Sequence, residues 1–137
     1  MVKLNTIKYD ADNKDYLING KPLILHLIKH EKINPNDYLP SFLSQPGTCE
    51  RLLGKSKPDL VGGFVAIYLC SFCGDYDGNP IGLKVTVDDG YVVWSNIGIY
   101  SDFDKEFGYE FNRFYEYKFK IEDYKNFIEN IKVYEPA

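Results

Sequence analysis

Arginine is scarce in this chain. Arg51 and Arg113 are its only two, and lysine supplies the rest of the 16 basic residues against 20 acidic ones. That imbalance points to an AT-rich genome and says nothing about mechanism. Net charge is −4 and the pI about 5.1, so the basic footprint of a nucleic-acid binder is missing. No segment is apolar over the length a bilayer needs, and the opening MVKLNTIKYDADNKDY lacks a signal-peptide core. A cytoplasmic location without membrane attachment is the expectation. Cysteine is also sparse. Three residues in a cytosolic chain argue against a disulfide framework. There is no glycine-rich phosphate loop, no Gly-x-Ser-x-Gly elbow and no His-Glu-x-x-His.

What the chain has instead is aromatic bulk. Aromatics make up 16% of its 137 residues, with 12 Tyr and 9 Phe, and hydrophobic residues 45%. A chain of this length and composition buries a self-supporting core as one domain, expected to span residues 1–137. Lys3 to Tyr9 and Tyr16 to Ile18 read as strands around the ADNKD turn. Leu23, Ile24, Leu27 and Ile28 recur at helical spacing, with Pro22 in the first turn, and predict a helix over 22–31. Residues 32–62 are irregular apart from a short helix from Thr48 through Leu53.

The second half is more regular. Phe64 to Cys70 is apolar on both faces, as a central strand is. Ile81, Leu83, Val85 and Val87 alternate with polar residues, and Asp89-Gly90 is a strong hairpin signal. A turn over Asp88 to Tyr91 sets Val87 opposite Val92 and Val85 opposite Trp94, on the core face. Tyr109 to Phe119 reads as one long strand with Arg113 intruding on its apolar side. Tyr124, Phe127, Ile128 and Ile131 mark a final helix, with Glu122 and Asp123 favourably placed in its first turn. The class is α+β: an antiparallel sheet with one helix from the N-terminal half and one at the C-terminus packed on it.

The segments RLLGKSKPDLVGG, IYLCSFCGD, VVWSNIG and YKFKIEDYKNFI, spread from Arg51 to Phe127, carry a resemblance. Together they resemble a family of small uncharacterised bacterial proteins. Its most specific element is Cys-x-x-Cys-Gly-Asp after an apolar strand, followed some twenty residues on by Val-x-Trp. Members are sometimes labelled oxidoreductases, with no site to support the label. The resemblance implies kinship and fold rather than an activity. Relatives often carry a further cysteine just after Gly-Asp, where this chain reads YDGNPIG.

Cys70 and Cys73 admit three interpretations. The plainest is a strand running into a turn that Gly74 and Gly78 permit and that Asp75, Asp77 and Asn79 brace. The second is half of a zinc site. Cys-x-x-Cys-Gly has the shape of a knuckle, and Cys49, His26 and His30 are the other available ligands, the two histidines at helical i,i+4 spacing. The third, redox catalysis, needs a thiolate stabilised by positive potential, ordinarily a helix N-terminus. GDYDGNP cannot begin a helix, so this interpretation ranks last of the three. Asp-x-Asp-Gly-Asn resembles a calcium loop without its bidentate glutamate. A dyad of Cys73 with His26 or His30 lacks anything to fix its geometry.

The leading functional expectation is a non-enzymatic protein-binding domain, an immunity protein that neutralises a toxin being one instance. Asp88, Asp89, Tyr100, Asp102, Phe103, Asp104, Glu106, Phe107 and Tyr109 would form an acidic, aromatic surface for a basic protein partner, with no cofactor. The alternative is a zinc-binding or thiol-redox protein using Cys70 and Cys73. The chain leaves the oligomeric state open.

Overall fold

The computed structural model describes residues 3–31, 33–76, 79–100, 108–111 and 115–137, with the side chains of His30 and Tyr109 outside that description. Strand β1 (Ile7–Asp10) turns back into β2 (Asp15–Ile18), which pairs in turn with the two-residue β3 (Lys21–Pro22). The predicted first strand starts late, at Ile7, because Asn5 is engaged elsewhere. Its N–H donates to the Lys118 carbonyl at 2.8 Å and ties the chain start to the other sheet. Helix α1 (Leu23–His30) follows as expected, with Pro22 just before it in extended conformation. The Pro22 side chain cannot cap, and Asp15 of β2 does so instead, its Oδ2 accepting the Ile24 N–H at 3.1 Å.

The larger sheet contains β4 (Tyr38–Pro40), β5 (Val65–Cys70), β6 (Ile81–Asp88), β7 (Tyr91–Tyr100), β8 (Gly108–Glu110) and β9 (Glu116–Lys120). Its order is β4-β5-β6-β7, and β8 and β9 both pair antiparallel with β7. The Asp89-Gly90 hairpin has the predicted register, with Val87 opposite Val92 and Val85 opposite Trp94. Alternating burial fails at Val87, which is 48% exposed near the hairpin tip. The expected long strand over Tyr109–Phe119 is two shorter ones. β8 follows the Gly98–Tyr100 end of β7 and β9 follows the Tyr91–Ser95 end. Between those ends Asn96 takes a positive φ of 55°, and the pairing of β6 with β7 shifts there. That break in β7 leaves one straight partner strand without a ladder. Arg113 lies outside the described residues. Helix α2 (Thr48–Leu52) and helix α3 (Ile121–Ile131) complete the fold, which is α+β with antiparallel sheets and a C-terminal helix.

The stretch 33–62, expected to be irregular apart from a short helix, also holds β4 and two single 3₁₀ turns, Pro35–Asp37 and Ser41–Leu43, and side chains tie these pieces together. Arg51 Nε lies 3.5 Å from Asp59 Oδ2, and Arg51 also donates to Pro46 O and Thr48 Oγ1 at 3.2 Å. Asp59 accepts the Ala66 N–H at 2.9 Å and the Tyr76 hydroxyl at 2.7 Å. Two glycines at positive φ, Gly62 and Gly63, return the chain to β5.

Aromatic rings fill the space between the sheets and α3. Trp94, Tyr16, Tyr68, Tyr124, Phe42 and Phe119 are all fully buried. Tyr16 meets Phe42, Tyr68 and Trp94 edge-on at 5.7, 5.3 and 5.8 Å between ring centroids. Their polar tips are satisfied. Trp94 Nε1 donates to Tyr124 at 3.0 Å, Tyr124 donates to Leu52 O at 2.6 Å, and Tyr16 donates to Ile67 O at 2.7 Å. Ile67 sits where the β5–β6 register shifts, so Tyr16 reaches a carbonyl at an irregular point of the ladder. Asp15 Oδ1 accepts the Tyr16 N–H and the Tyr68 hydroxyl.

Two expectations concern stability. Trp94→Ala should cost about 3–5 kcal/mol in urea unfolding, as loss of a buried large aromatic does. Asp15→Ala leaves three donors without their acceptor and should cost more than about 3 kcal/mol. Burial holds the Asp15 carboxyl above its ordinary value, against the opposing pull of Tyr68 and of the Ile24 and Tyr16 N–H groups. Between the unfolded and the raised folded value, the folded chain therefore keeps a proton that the unfolded chain releases. This contribution to stability is full below the unfolded pKa of about 3.9 and is lost as pH rises through the folded value. Urea midpoints measured across that window should show the fall in wild type and not in Asp15→Asn.

Candidate functional site: the cysteine turn

Strand β5 ends at Cys70, which faces Tyr38 of the edge strand β4. The chain then turns through Ser71, Phe72 and Cys73, and the Gly74 N–H returns to Cys70 O at 2.9 Å. Gly74 has φ +67, and a Cβ added there would stand 2.7 Å from Ser44 Cβ, so glycine is required on both counts. The turn is clamped from outside. Ser71 donates its N–H to Asp37 O at 2.9 Å and its hydroxyl to Asn36 O at 2.7 Å. Gln45 Nε2 donates to Gly74 O at 2.7 Å. Between the two cysteines Phe72 stands 90% exposed.

The two sulfurs are inequivalent. The Cys70 thiol is held below its ordinary pKa by the Cys73 N–H first, then by the Phe72 N–H and the Cys73 thiol, all donating to its sulfur. Cys73 is held above its ordinary value. The Asp75 N–H favours its thiolate, but the hydrogen bond to Cys70, desolvation and the charges of Cys70 and Asp75 together outweigh it. The two shifts make Cys70 the more readily ionised thiol of the pair. As expected, no helix begins at the motif among the described residues; the N–H groups of the turn favour the Cys70 thiolate instead.

Two of the other ligands considered for zinc are described, Cys49 and His26. Cys49 is buried in α2, its thiol pushed up to about 12 by burial and then by the charge of Glu135. Its backbone N–H donates to Glu135 Oε1 at 2.7 Å. That makes Cys49 a core side chain rather than an accessible ligand. His26 is exposed on α1 and meets the Tyr115 ring edge-on at 5.6 Å. The side chain of His30 and the whole of Asp77 lie outside the described residues. Among the described residues, no group of three or more His, Cys, Asp and Glu converges as a metal site.

Of the nine residues expected to form an acidic, aromatic surface, Asp88, Asp89 and Tyr100 are described with their side chains. Asp88 and Asp89 sit at the β6–β7 turn, whereas Tyr100 ends the ten-residue β7. At the rise of a strand these ends are about 30 Å apart. Tyr100 is 7% exposed, stacks on Phe64 at 3.7 Å and donates to Asn96 O at 2.9 Å. It belongs to a small second core with Leu60, Ala66 and Leu69, not to a contact surface. Asp102, Phe103, Asp104, Glu106 and Phe107 lie outside the described residues, as does the Tyr109 side chain. Comparison with protein families, with characterised proteins and with solved structures yields no match to this chain.

The pH profile of alkylation checks the asymmetry of the thiols. Half-maximal labelling of Cys70 by iodoacetamide should fall below the pKa of about 8.5 of a free cysteine. Gly74→Ala, which disturbs the turn, should return it towards that value. Cys49 should label only when the chain unfolds.

Proposed function

We propose that this chain is a thiol-redox protein whose Cys70–Cys73 turn exchanges electrons with disulfides. The observation that carries this reading is the geometry of the turn: it brings two free cysteines together at the protein surface, closed by the Gly74 N–H on Cys70 O and clamped by Asn36, Asp37 and Gln45, and the lowered pKa of Cys70 agrees with it. In the reducing direction the Cys70 thiolate attacks one sulfur of a partner disulfide. That S–S bond breaks, and the first partner sulfur leaves as a thiolate that takes up a proton. Cys73 then loses its proton and attacks the Cys70 sulfur of the mixed disulfide, releasing the second partner thiol. Starting from the Cys70 thiolate and the Cys73 thiol, the chain gives up two electrons and one proton and ends with a Cys70–Cys73 disulfide; solvent supplies the other proton, and the partner gains two thiols. The protein-binding reading draws less support, because Tyr100 is buried and Asp102, Phe103, Asp104, Glu106 and Phe107 lie outside the described residues.

Equilibration in glutathione buffers tests the proposal, with the Cys70–Cys73 disulfide followed by a thiol-specific mass tag. A reversible two-electron transition is expected, with a midpoint between roughly −270 and −120 mV, the span of known dithiol exchange proteins. Cys49 should stay reduced throughout. Absence of that disulfide at every poise would overturn the proposal. So would stoichiometric zinc on chain purified without chelator or tag, held by both thiols and blocking their exchange, which would favour the metal reading.

A further inference from the structure

Beside the cysteine turn runs a groove of about 490 Å³. Ile24 and Leu25 of α1 form one wall, Tyr38 and Leu39 of β4 the other, and Pro35 and Ser71 also line it. Ser71 follows Cys70 in the chain and Tyr38 is paired with Cys70 across the sheet, so the groove adjoins the cysteine turn. Two large apolar side chains remain exposed in this region, Leu25 at 53% and Phe72 in the turn itself. The edge of β4 is closed to strand addition. Pro40 has no N–H, and the Tyr38 N–H is already bonded to Pro35 O. An occupant of the groove is therefore recognised through side chains, not through a backbone ladder.

Charge selects further. Both sulfurs feel the negative charge of Asp75, and the whole chain carries −4. Among the groove's described lining residues Lys14 is the cation, in the β1–β2 turn, and Asp15 is the anion, buried under hydrogen bonds. An anionic small disulfide such as glutathione disulfide meets repulsion at the sulfurs and has no apolar side chain for the groove. An apolar, basic peptide is matched on both counts.

Resting on the redox reading above, we infer that the disulfide this chain exchanges with is carried by a polypeptide. Apolar and basic residues flank its cystine, and the segment seats between α1 and β4 as Cys70 attacks. Leu25 is a specificity-determining residue at that seat, and Phe72 offers the segment an apolar shoulder.

Single-turnover kinetics of the reduced chain test this with three probes at equal concentration. They are a disulfide-bonded peptide with leucine and lysine flanks, its counterpart with glutamate for lysine, and glutathione disulfide. The lysine peptide should react faster than either other probe, by on the order of tenfold, the factor one well-placed anchor supplies. Its advantage over the glutamate peptide should shrink as salt rises. Leu25→Glu should widen the preference for lysine over glutamate flanks. Leu25→Lys should narrow or reverse that last preference. Because Leu25 is exposed, both variants keep the core intact. Equal rates for all three probes, or ratios that neither variant moves, would overturn the polypeptide assignment and leave the redox reading standing. No reaction with any probe, glutathione disulfide included, would overturn the redox reading itself.

Discussion

The carboxylate of Asp15 is the contact on which the rest of the arrangement depends. A buried charge is costly to desolvate, and it persists only where donors replace the lost water. Asp15 finds three of them on three elements: the Tyr16 N–H on its own strand, the Tyr68 hydroxyl on β5 and the Ile24 N–H in the first turn of α1. The helix end adds a favourable field for an anion. One side chain thus joins the small sheet, the first helix and the larger sheet. Tyr68 lies two residues before Cys70, so the strand that delivers the thiols is located by the same contact. Ser41 supports it by donating to Ala66 O at 2.7 Å, and Tyr16 by donating to Ile67 O.

Local chemistry was legible in the sequence. The Asp89-Gly90 hairpin follows from turn residues and a period of two, and its register places Trp94 in the core without any long-range information. The helices follow from spacing alone. Long-range choices were not legible. Asn5 leaves its strand for a carbonyl 113 residues away, and nothing local signals that. The split of β8 from β9 depends on one residue of β7 entering left-handed conformation, at an asparagine, which tolerates it. The order in 32–62 comes from Arg51 meeting Asp59 and from Asp59 meeting Tyr76. Charged residues between prolines looked like an ordinary loop for that reason.

At the site, the spacing of Cys70 and Cys73 was visible, but the donors to the Cys70 sulfur were not. Backbone N–H groups have no sequence signature, and only Gly74 hinted at a turn that could aim them. Within the acidic and aromatic run, the burial of Tyr100 was not legible, because a tyrosine's polar tip suits a surface as well as a core with a carbonyl to spare.

Trp94 has a practical consequence of its own. It is the only tryptophan in the chain, it is fully buried, and its N–H is fixed to the Tyr124 hydroxyl, which in turn holds Leu52 of α2. Tyr16, Phe119 and Tyr124 crowd its ring within 6.2 Å. Near-ultraviolet absorption and emission from this indole therefore report on one place where β2, β7, β9, α2 and α3 meet. Tyrosine excitation, from rings this close, drains into the same fluorophore. The chain carries an intrinsic optical gauge of its interior, and events confined to the outer turn can be told apart from loss of the interior by whether that gauge responds.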